Sequence, residues 1–510
     1  MPELSQLINS LPVELGERAE VWSDGACDGP FVMYWMRTAV RADENPALEA
    51  AIALANELDL PIFVYHALSE TYPYASDRHH TFILQGARDV QSQLAHRKIG
   101  YAFHLEREGH RGHHLKTLTD QAALVVTEDM PVQPLVHWMD RLRDATATPI
   151  VMIDTACILP MRQVGQSYTR AFKFRDATRR ARAQRLASRL EPIQPKHDRY
   201  VPKLPFEPVN LAESDLEALV AECQIDHSIA AVPHTVGGSS AGYARWDSFK
   251  ENGLKRYAKT RNNALIDGVS RMSAYLHFGM VSPQRIAREA HERGGEGAEK
   301  YLDELLIWRE LAYAFFNYQP DHEELTAVPD WAIESLKAHE SDPRETIPSW
   351  ETLARGRTGD QLWDAAQRSL LIHGELHNNV RMTWGKAFLS WTKNASDALR
   401  LMIDLNHRYA LDGRDPASYG GLLWCLGQFD RPFEPHQPIL GAVRPRPTRE
   451  HAKRLDPQKY FRRCTRPLAN PMPRIAIVGA GLSGVTCGRI LSDHGFAVTI
   501  FEKSRGAGGR

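Results

Sequence analysis

Residues 270–283 read SRMSAYLHFGMVSP, and this stretch marks a helical region of the chain. Ser270, Arg271 and Ser273 precede an apolar run with helical spacing that contains Leu276. Free backbone N–H groups at a helix start favour anions, and serine hydroxyls there can bind a phosphate. The alternative is an ordinary serine N-cap without a ligand. The stretch therefore predicts a helix start that is open to an anionic group.

The surrounding sequence, from Tyr243 to about Arg463, is dominated by helical periodicity and contains almost no strand patterns. Apolar residues recur at helical spacing in four segments, Tyr301–Phe316, Gln361–Ile372, Val380–Trp391 and Ala395–Ile403. We predict an all-helical domain over residues 244–463, followed by a proline-rich linker at 464–473.

The N-terminal part has a different pattern, in which strand-like runs alternate with helical spacing. The runs are FVMYWM (31–36), PIFVY (61–65), AALVVT (122–127) and PIVMID (149–154), with a helical segment at 47–58. Alternation of this kind predicts a parallel sheet with helices on both faces, an α/β domain of the Rossmann-like type over residues 1–160.

A long connection, residues 161–243, joins the two domains. It begins with a basic stretch, passes through a proline-rich piece, and ends in Val236–Gly242, VGGSSAG, which predicts a flexible joint.

The composition is that of an ordinary soluble protein. The 510 residues are 43% hydrophobic and 25% charged with a net charge of -1, so any nucleic-acid footprint must be local. The six cysteines form no metal-binding spacing, and no apolar run reaches the ~18 residues that a membrane helix needs. We expect a monomer in a reducing cytoplasm, without a metal site and without a membrane partner.

Several motifs of the helical domain, taken together, are specific. Their order is RNN (261–263), SRMSAYLHFGMVSP (270–283), YLDELLIWREL (301–311), LWDAAQ (362–367), HNNVRMTW (377–384), LSWT (389–392), LNHRYALDGRDP (405–416) and YGGLLWCLG (419–427). This order and spacing resemble the FAD domain of the class II enzymes of the photolyase/cryptochrome family. The resemblance covers residues 31–430 and implies an N-terminal antenna-type domain and a helical domain that encloses FAD.

The resemblance implies a set of cofactor-binding residues in two pieces of sequence. A buried flavin needs its phosphates neutralised and its ring tuned by a few polar groups. The matching positions are Tyr257, Ser270, Met272, Ser273 and Leu276 in the first piece, and Asn406, Asp412, Arg414 and Asp415 in the second.

Asn406 matches the asparagine that faces the flavin N5 atom in class II enzymes, and we predict that it tunes the flavin. An isolated Asp–Arg pair such as that in LDGRDP is otherwise usually a structural salt bridge.

Three tryptophans, Trp363, Trp384 and Trp391, match the electron-transfer residues of the class II enzymes. Indole is readily oxidised, so a chain of such rings can relay an electron to a buried flavin. Trp384 and Trp391 are seven residues apart, which is two turns on one helical face. Core packing is the alternative role, and it is compatible with electron transfer.

The resemblance also implies a substrate pocket for ultraviolet-damaged DNA. The handling of a lesion inside a duplex requires base flipping, a mechanism used by photolyases as a class. Glu304 and Trp308, one helical turn apart, match the acid that hydrogen-bonds the pyrimidine dimer and an aromatic beside it. Further pocket positions are Arg261, Asn262, Met382 and Trp424.

Two segments depart from the class II pattern. His377-Asn378-Asn379 stands where these enzymes carry His-Gly-Tyr, so a pocket tyrosine is missing. After Trp424 the resemblance fades, and Phe433 stands near the position of a second tryptophan, where it can serve as a wedge in the DNA.

The last residues, 474–510, restart as a strand, a glycine-rich turn, a helix and a second strand. Gly479, Gly481 and Gly484 follow the first strand, and Glu502 ends the second, as in a dinucleotide-binding βαβ unit. The segment is similar to the opening of an amine-oxidase-like or renalase-like oxidoreductase. A single βαβ unit cannot bury its sheet faces, so we expect no working oxidoreductase in it.

The resemblance therefore implies an enzyme of the deoxyribodipyrimidine photo-lyase class. Reduced FAD would donate an electron, under light, to a flipped cyclobutane pyrimidine dimer. The alternatives are a cryptochrome-like blue-light photosensor, repair of (6-4) photoproducts with His377 as the acid, and a dark flavin oxidoreductase. The resemblance implies an antenna site in the N-terminal domain, for which a deazaflavin, a folate and an empty pocket are the alternatives.

Overall fold

The computed structural model of the chain describes residues 3–466, 468, 473–494, 496–504 and 506. Its N-terminal part is built on a sheet whose central strands are buried on both faces, as expected for parallel strands. The strands are β1 (Ala19–Ser23), β2 (Val32–Met36), β3 (Ile62–Leu68), β4 (Gly100–Leu105), β5 (Leu124–Glu128) and β6 (Ile150–Ile153). The four predicted runs correspond to β2, β3, β5 and β6.

The strand order in this sheet is β1-β6-β5-β2-β3-β4, with β1 antiparallel to β6 and the other pairs parallel. The sequence analysis did not predict the two edge strands. β1 is only half buried along its length, and β4 carries His104 within its run, so neither has the continuous apolar pattern of a central strand.

Successive residues of β2 point to opposite sides of the sheet, and helices cover both of these sides. Val32, Tyr34 and Met36 join the core beneath α3 and α4, whereas Met33 and Trp35 join the core beneath α5 and α6. The helices of this part are α1 (Leu4–Asn9), α2 (Val13–Gly16), α3 (Pro46–Glu57), α4 (Asp77–His96), α5 (His114–Gln121) and α6 (Leu135–Ala145).

The connection 161–243 contains α7 (Ala171–Leu186), whose Arg175 pairs with Asp303 of the helical part, and α8 (Leu216–Ala221), which packs on α4. The predicted flexible joint at 236–242 needs correction. The Asp89 carboxylate of α4 accepts hydrogen bonds from the backbone N–H and the hydroxyl of Ser240, so the segment is held against α4. Gly238 adopts φ 109°, a conformation that favours glycine.

The C-terminal part is helical, as predicted. Its helices are α9 (Ser239–Asn252), α10 (Tyr257–Thr260), α11 (Ser273–His277), α12 (Pro283–Arg293), α13 (Gly295–Asp303), α14 (Glu310–Tyr318), α15 (Asp330–Ala338), α16 (Trp350–Ala354), α17 (Gln361–His373), α18 (Asn378–Trp391), α19 (Ala395–Tyr409), α20 (Pro416–Cys425), α21 (Thr448–Ala452) and α22 (Pro457–Cys464). The predicted boundary at residue 463 falls inside α22, so the helical part extends at least to Cys464. Within the described ranges, no helix has the length and apolarity to cross a bilayer.

The helix that runs from α13 into α14 contains a π-helical turn over Glu304–Arg309. Such turns insert one extra residue per turn and are frequent at functional sites. Glu304 and Trp308, both predicted to contact the substrate, lie within this turn. The insertion re-aims their side chains relative to a regular α-helix.

The C-terminal βαβ pattern is also present. β7 (Arg474–Val478) and β8 (Ala497–Phe501) form a parallel pair, joined through α23 (Leu482–Asp493). Val478 is 91% exposed and Leu482 is 82% exposed, so this unit leaves apolar side chains in solvent. Linker residues 467 and 469–472 and the final residues 507–510 lie outside the described part of the chain.

Buried polar contacts join the α/β part to the helical part. Arg78 of α4 donates hydrogen bonds of 2.6–2.7 Å to the carbonyl oxygens of Leu370 and Tyr409. Glu310 of α14 accepts a 2.7 Å hydrogen bond from the Ile158 backbone N–H. These side chains contact main-chain groups that are distant in the sequence, and they fix the α/β part against the helical part.

Glu310 should make the stability of the protein depend on pH. Burial raises the pKa of Glu310 to about 7, so the folded state retains a proton that the unfolded state loses near its ordinary pKa of about 4.5. The stabilisation from this proton is complete below about pH 4.5 and is lost as the pH rises through about 7. Glu310→Gln mimics the protonated carboxyl, so we expect it to add about 2 kcal/mol of unfolding free energy at pH 8 and little at pH 4.5.

Urea unfolding of the Glu310→Gln protein at the two pH values measures this effect. Glu324→Gln, which changes an exposed carboxyl, is the matched control. An equal stability change at both pH values would contradict the titration of Glu310.

Candidate functional site

A cavity of about 300 Å³ lies among the helices of the C-terminal part. It is lined by residues of α10, α11, α18, α20, α22 and the π-helical turn. Of the predicted cofactor-binding residues, those that line it are Tyr257, Ser270, Met272, Ser273, Leu276, Asp412 and Asp415. Glu304 also lines it. Motifs more than 150 positions apart in the sequence therefore meet at one site.

One end of the cavity carries two guanidinium groups, each of which is paired with a carboxylate. Arg271 adopts φ 56°, an uncommon conformation for a non-glycine residue, and its Nε donates to Glu375 at 2.6 Å. Arg463 of α22 lines the same cavity and forms an ion pair with Asp267. Two guanidinium groups at this end suit a phosphate-bearing ligand.

Ser270 and Ser273 are not used as helix caps. The residue that precedes α11 is Met272, and no side chain caps this helix. The alternative interpretation of these serines as an ordinary N-cap is therefore wrong for α11. Ser270 accepts a long 3.4 Å hydrogen bond from the Tyr301 hydroxyl.

His377 presents a buried donor to the cavity. Its Nδ1 atom accepts a 3.3 Å hydrogen bond from the Asn379 backbone N–H, which assigns the hydrogen of the neutral ring to Nε2. Burial lowers the pKa of His377 to about 4, so the ring is neutral at physiological pH. Nε2 is buried and has no partner among the described residues. A ligand in the cavity can satisfy it.

The other end of the cavity is polar without a net charge. Arg381 of α18 contacts Asp412 at 3.3 Å and donates to the Ser418 hydroxyl at 2.8 Å. The Asp412 Oδ1 atom is buried and lacks a partner in the described part of the chain. An acceptor and a hydroxyl beside a neutralised ion pair suit the edge of a polar heterocycle.

Asp415 is held by a chain of buried hydrogen bonds. The Tyr313 hydroxyl donates to Asp415 Oδ2 at 2.7 Å, and Arg309 donates to the Tyr313 hydroxyl at 2.9 Å. The pKa of Asp415 is lowered by its hydrogen bonds and by the charge of Arg309 despite burial. Asp415 also begins α20 by accepting from the Ala417 N–H.

Two predicted cofactor residues do not line the cavity. Asn406 is fully buried behind it, and its amide donates to Gly413 O and to the Ser418 hydroxyl, both at 3.0 Å. Arg414 donates to the Pro73 carbonyl, and its guanidinium lies 3.5 Å from the Tyr72 ring centroid. The prediction that Arg414 contacts the cofactor is corrected accordingly, because this side chain joins the helical part to the α/β part.

The three predicted tryptophans form one column. The rings of Trp384 and Trp363 are nearly parallel, with centroids 6.1 Å apart and an interplanar angle of 8°. Trp363 contacts Trp391 edge to face, with centroids 5.1 Å apart. Trp384 and Trp363 are buried, and Trp391 is partly exposed. Because Arg381 lies one turn before Trp384 on α18, the column leads from the cavity towards solvent.

Of the residues predicted to contact the lesion, Glu304 lines the cavity and Trp308 lies one turn further along the same π-helical turn. Glu304 Oε1 accepts from Arg261 at 2.6 Å and contacts Lys300 at 2.8 Å. Trp308 and Trp424 are partly exposed and stacked, with centroids 5.3 Å apart and an interplanar angle of 17°. These pairs bring an acid and an aromatic surface to one region.

Asn262 and Met382, the two remaining predicted substrate residues, do not line the cavity. The backbone carbonyl of the exposed Asn262 accepts a 2.8 Å hydrogen bond from the Asn379 side-chain amide. Met382 is buried. Asn379, which departs from the class II motif, thus holds the Asn262 loop where a tyrosine is expected.

The sequence analysis missed several lining residues, namely Arg309, Arg381, Ser418, Tyr460, Arg463 and Cys464. Arg381 carried a weak signal, since a charged residue at a core position of a helix usually has a buried partner. The residues of α22 carried none, because the resemblance was lost before that helix.

Comparisons with known proteins agree with this architecture. A family profile described as DNA photolyase matches residues 32–196, and one described as NAD(P)-binding Rossmann-like domain matches residues 477–510. A deoxyribodipyrimidine photo-lyase from Methanothermobacter thermautotrophicus is 32% identical over 416 residues, which covers 82% of this chain and 90% of the relative. Another, from Arabidopsis thaliana, is 31% identical over 433 residues, covering 82% and 85%.

Solved structures show the same fold. A class III photolyase from Agrobacterium tumefaciens superposes with a TM-score of 0.62 at 17% identity, covering 86% of each chain. A cryptochrome from Synechocystis sp. PCC6803 superposes with a TM-score of 0.63 at 16% identity, covering 85% of this chain and 88% of the other.

The chain belongs to the DNA photolyase family. The predicted order of an α/β domain and a helical domain is confirmed. The prediction that the chain is an enzyme of the deoxyribodipyrimidine photo-lyase class is likewise confirmed by its relatives.

The cavity suits the FAD that this family uses. The unpartnered atoms His377 Nε2 and Asp412 Oδ1 suit a ligand with both an acceptor and a donor, and the guanidinium groups of Arg271 and Arg463 can donate further hydrogen bonds to an anionic group. FAD carries a diphosphate and a hydrogen-bonding ring, so it provides both.

Proposed function

We propose that this chain repairs cyclobutane pyrimidine dimers in ultraviolet-damaged DNA, using light and FAD. The observation that carries the proposal is a cavity among the helices that is lined by both Glu304 and Arg381. Glu304 lies one turn before Trp308 of the stacked aromatic pair, and Arg381 lies one turn before Trp384 of the tryptophan column. When bound, FAD supplies the light-driven donation of one electron. The residues of the chain bind it, shield it from water and position the lesion.

We assign FAD binding to residues at both ends of the cavity. Arg271 and Arg463 would hold the diphosphate, and His377 Nε2 would donate to it or to a neighbouring oxygen. Asp412 and Ser418 would contact the ring, with Arg381 neutralising Asp412. Tyr257, Met272 and Leu276 would complete the apolar walls.

We assign binding of the DNA lesion to Glu304 and to the stacked pair Trp308 and Trp424. Trp308 and Trp424 offer aromatic surface to extruded bases, and stacking of a base on an aromatic side chain is worth about 1–3 kcal/mol. Glu304 can accept a hydrogen bond from the dimer, because its second oxygen accepts none from the described residues. Arg261 and Lys300 keep its carboxylate oriented.

Repair of (6-4) photoproducts is the less favoured alternative. It calls for general-acid chemistry beside the lesion, and His377 was the candidate. With a pKa lowered to about 4 by burial, this ring is a neutral imidazole at neutral pH, so the imidazolium that would act as the general acid is scarce. A cryptochrome-like photosensor would share the cavity and the tryptophan column, and it differs in lacking repair.

A second, light-harvesting chromophore stays a prediction. One structural neighbour, an archaeal photolyase from Sulfolobus tokodaii, contains two FAD molecules, with the implication of a novel light-harvesting cofactor in that protein. Its TM-score is 0.61 at 15% identity, so the likeness concerns the fold.

An illumination assay tests the proposal. The reduced protein is illuminated with oligonucleotides that carry either one thymine dimer or one (6-4) photoproduct, and restored thymines are counted against dark samples. We expect restoration from the dimer only, and only in light. Restoration from the (6-4) substrate would favour the first alternative, and FAD binding without any repair would favour a photosensor.

Phe433 is proposed to support the DNA from outside the pocket. Its ring lies between two arginines, with the guanidinium of Arg444 at 4.3 Å and that of Arg431 at 5.0 Å from the centroid. An aromatic flanked by cations suits insertion beside phosphates. We expect Phe433→Ala to weaken binding of dimer-containing duplex about tenfold, the loss of roughly one base stack.

Fluorescence anisotropy with labelled duplex measures this affinity. Trp350→Ala removes an exposed aromatic that contacts Asp404 instead of this cluster, and it is the control. Equal affinities for Phe433→Ala and Trp350→Ala would argue against a wedge at this position.

A further inference from the structure

We propose that His373 takes up a proton from solvent when FAD binds, and that the resulting imidazolium partly neutralises the diphosphate held by Arg271 and Arg463. The inference rests on the proposed binding of FAD in this cavity, and it adds a cofactor-binding residue that no motif of the sequence singled out. It also makes the affinity for FAD depend on pH, which can be measured without light or DNA.

His373 lies where the end of a helix favours positive charge. It is the last residue of α17, it is 2% exposed, and it lines the cavity. The carbonyl groups at a helix C-terminus carry partial negative charge and stabilise a cation in the last turn. Gly374 follows with φ 63° and ends the helix, and Glu375, the partner of Arg271, comes next. His373 therefore belongs to the same end of the cavity as Arg271.

The hydrogen bonds of His373 fix a hydrogen on one ring nitrogen. Nε2 lies 2.6 Å from the Arg466 carbonyl oxygen, an atom that can only accept, so Nε2 must donate. Nδ1 lies 3.2 Å from Ser369 Oγ, and the same hydroxyl lies 2.9 Å from the Glu375 carbonyl oxygen. The protonation state of Nδ1 therefore decides how the single hydroxyl hydrogen of Ser369 is used.

A neutral ring leaves one group of this network without a hydrogen bond. Nδ1 of the neutral ring is an acceptor, so it and the Glu375 carbonyl compete for the one hydrogen of Ser369. In the imidazolium, Nδ1–H donates to Ser369, the Ser369 hydroxyl donates to the Glu375 carbonyl, and Nε2–H donates to the Arg466 carbonyl. Each donor then has an acceptor, so the contacts already present suit the protonated ring.

The neighbouring charges explain why the proton arrives with the ligand. Burial lowers the pKa of His373, and the guanidinium groups of Arg271 and Arg463 lower it further. The Arg466 carbonyl and the Glu375 carboxylate oppose this shift, but the pKa stays below its ordinary value. A bound diphosphate brings two negative charges beside the guanidinium groups. It therefore raises the pKa of His373, because a nearby opposite charge favours the charged form.

The other titratable groups that face His373 keep one charge state near neutral pH. Burial raises the pKa values of Tyr460 and Cys464 of α22, so both stay neutral. Burial lowers the pKa of His377 to about 4, so this ring is also neutral. The charge of Arg271 lowers the pKa of Glu375 despite burial, and the carboxylate stays ionised. A pH dependence of FAD binding near neutral pH is therefore assigned to His373.

Calorimetric titration of the FAD-free protein with FAD, in two buffers of different ionisation enthalpy, measures the proton uptake. We expect roughly 0.5–1 proton per FAD at about pH 7. Because the FAD-bound protein holds more protons than the free protein, raising the pH must weaken binding. The logarithm of the association constant should fall by up to about one per pH unit.

Two variants separate protonation of His373 from a merely structural role. His373→Gln keeps a donor for the Arg466 carbonyl but cannot take up a proton. We expect it to show no uptake and to bind FAD about tenfold more weakly than wild type at about pH 6, with a smaller difference at about pH 8.5. Ser369→Ala removes the acceptor for Nδ1–H, so it should reduce the uptake although the imidazole is retained.

His451→Gln is the matched control, because His451 is a buried histidine that does not line the cavity, and it should retain the wild-type uptake. A wild-type protein that bound FAD without proton uptake would overturn this inference and leave the proposed function intact. Wild-type pH dependence in His373→Gln would overturn it in the same way. If the wild-type protein bound no FAD at any pH, this inference and the proposed function would both fail.

Discussion

Replacing Trp384 with phenylalanine is expected to slow light-driven reduction of bound FAD by more than an order of magnitude. Trp384 lies one helical turn after the cavity-lining Arg381, and its ring stacks on Trp363 at a centroid distance of 6.1 Å. Phenylalanine retains an aromatic ring and most of the packing, but benzene is far harder to oxidise than indole. The relay would lose its first donor while the fold is kept.

The hydrogen bonds of the tryptophan column favour movement of the tryptophan radical cation from Trp384 towards Trp391. The Trp384 indole donates to the Gln367 amide oxygen and the Trp363 indole donates to the Trp384 carbonyl oxygen, both at 3.0 Å. Neither acceptor is basic enough to remove a proton. Proton loss is therefore expected only at the partly exposed Trp391, where solvent can accept it.

Bleaching of the visible flavin band under blue light, without oxygen and with a thiol reductant, measures the effect. Trp246→Phe is the matched control, because Trp246 is equally buried but belongs to α9 and donates to Glu289. Photoreduction by the Trp384→Phe protein at the wild-type rate would remove the column from the mechanism.

Replacing Glu304 with glutamine is expected to lower dimer repair about tenfold while FAD stays bound. A hydrogen bond that involves a charged group is worth about 1.5–3 kcal/mol, and the amide removes the charge. Arg261 and Lys300 both contact Oε1, so the other oxygen is the one available to a lesion. The loss should appear in repair per absorbed photon rather than in the flavin spectrum.

Asp303→Asn is the control for this prediction. Asp303 precedes Glu304, forms ion pairs with Arg175 and Lys300, and does not line the cavity. We expect near-normal repair from it. If Glu304→Gln instead released FAD and left binding of damaged DNA unchanged, Glu304 would be a cofactor residue and its assigned role would be wrong.

Local sequence patterns were sufficient for the central strands and most long helices. The runs that became β2 and β5 are buried on both faces, and such strands read as continuous apolar stretches. β1 was missed because it is an edge strand with a mixed pattern that pairs antiparallel to β6. Edge pairing is decided by tertiary neighbours, which a local pattern does not contain.

The same limit applies within the candidate site. Ser270, Met272 and Asp412 were found because they stand in recognisable motifs, and all three line the cavity. Arg414 stands in the same motif as Asp412, yet it reaches Pro73, 341 positions away. The direction of a buried polar side chain depends on which acceptor the fold brings near, so motif membership alone did not fix it.

Asn406 and Arg463 illustrate the two remaining causes of error. Asn406 does not line the cavity because its amide nitrogen is held by Gly413 and Ser418, an arrangement that only the three-dimensional hydrogen-bond network reveals. Arg463 belongs to α22, which returns across the cavity after a segment without recognisable motifs. Closure of a site by a distant helix leaves no periodic signature in the sequence.

Titration of the FAD-free protein with FAD tests the central claim most directly, because every proposed step needs a flavin within this cavity. We predict saturation at one FAD per chain, strong quenching of flavin fluorescence on binding, and loss of binding in Arg381→Leu, which leaves Asp412 buried and unpaired. A protein that stays colourless and leaves flavin fluorescence unchanged at saturating FAD would contradict the account.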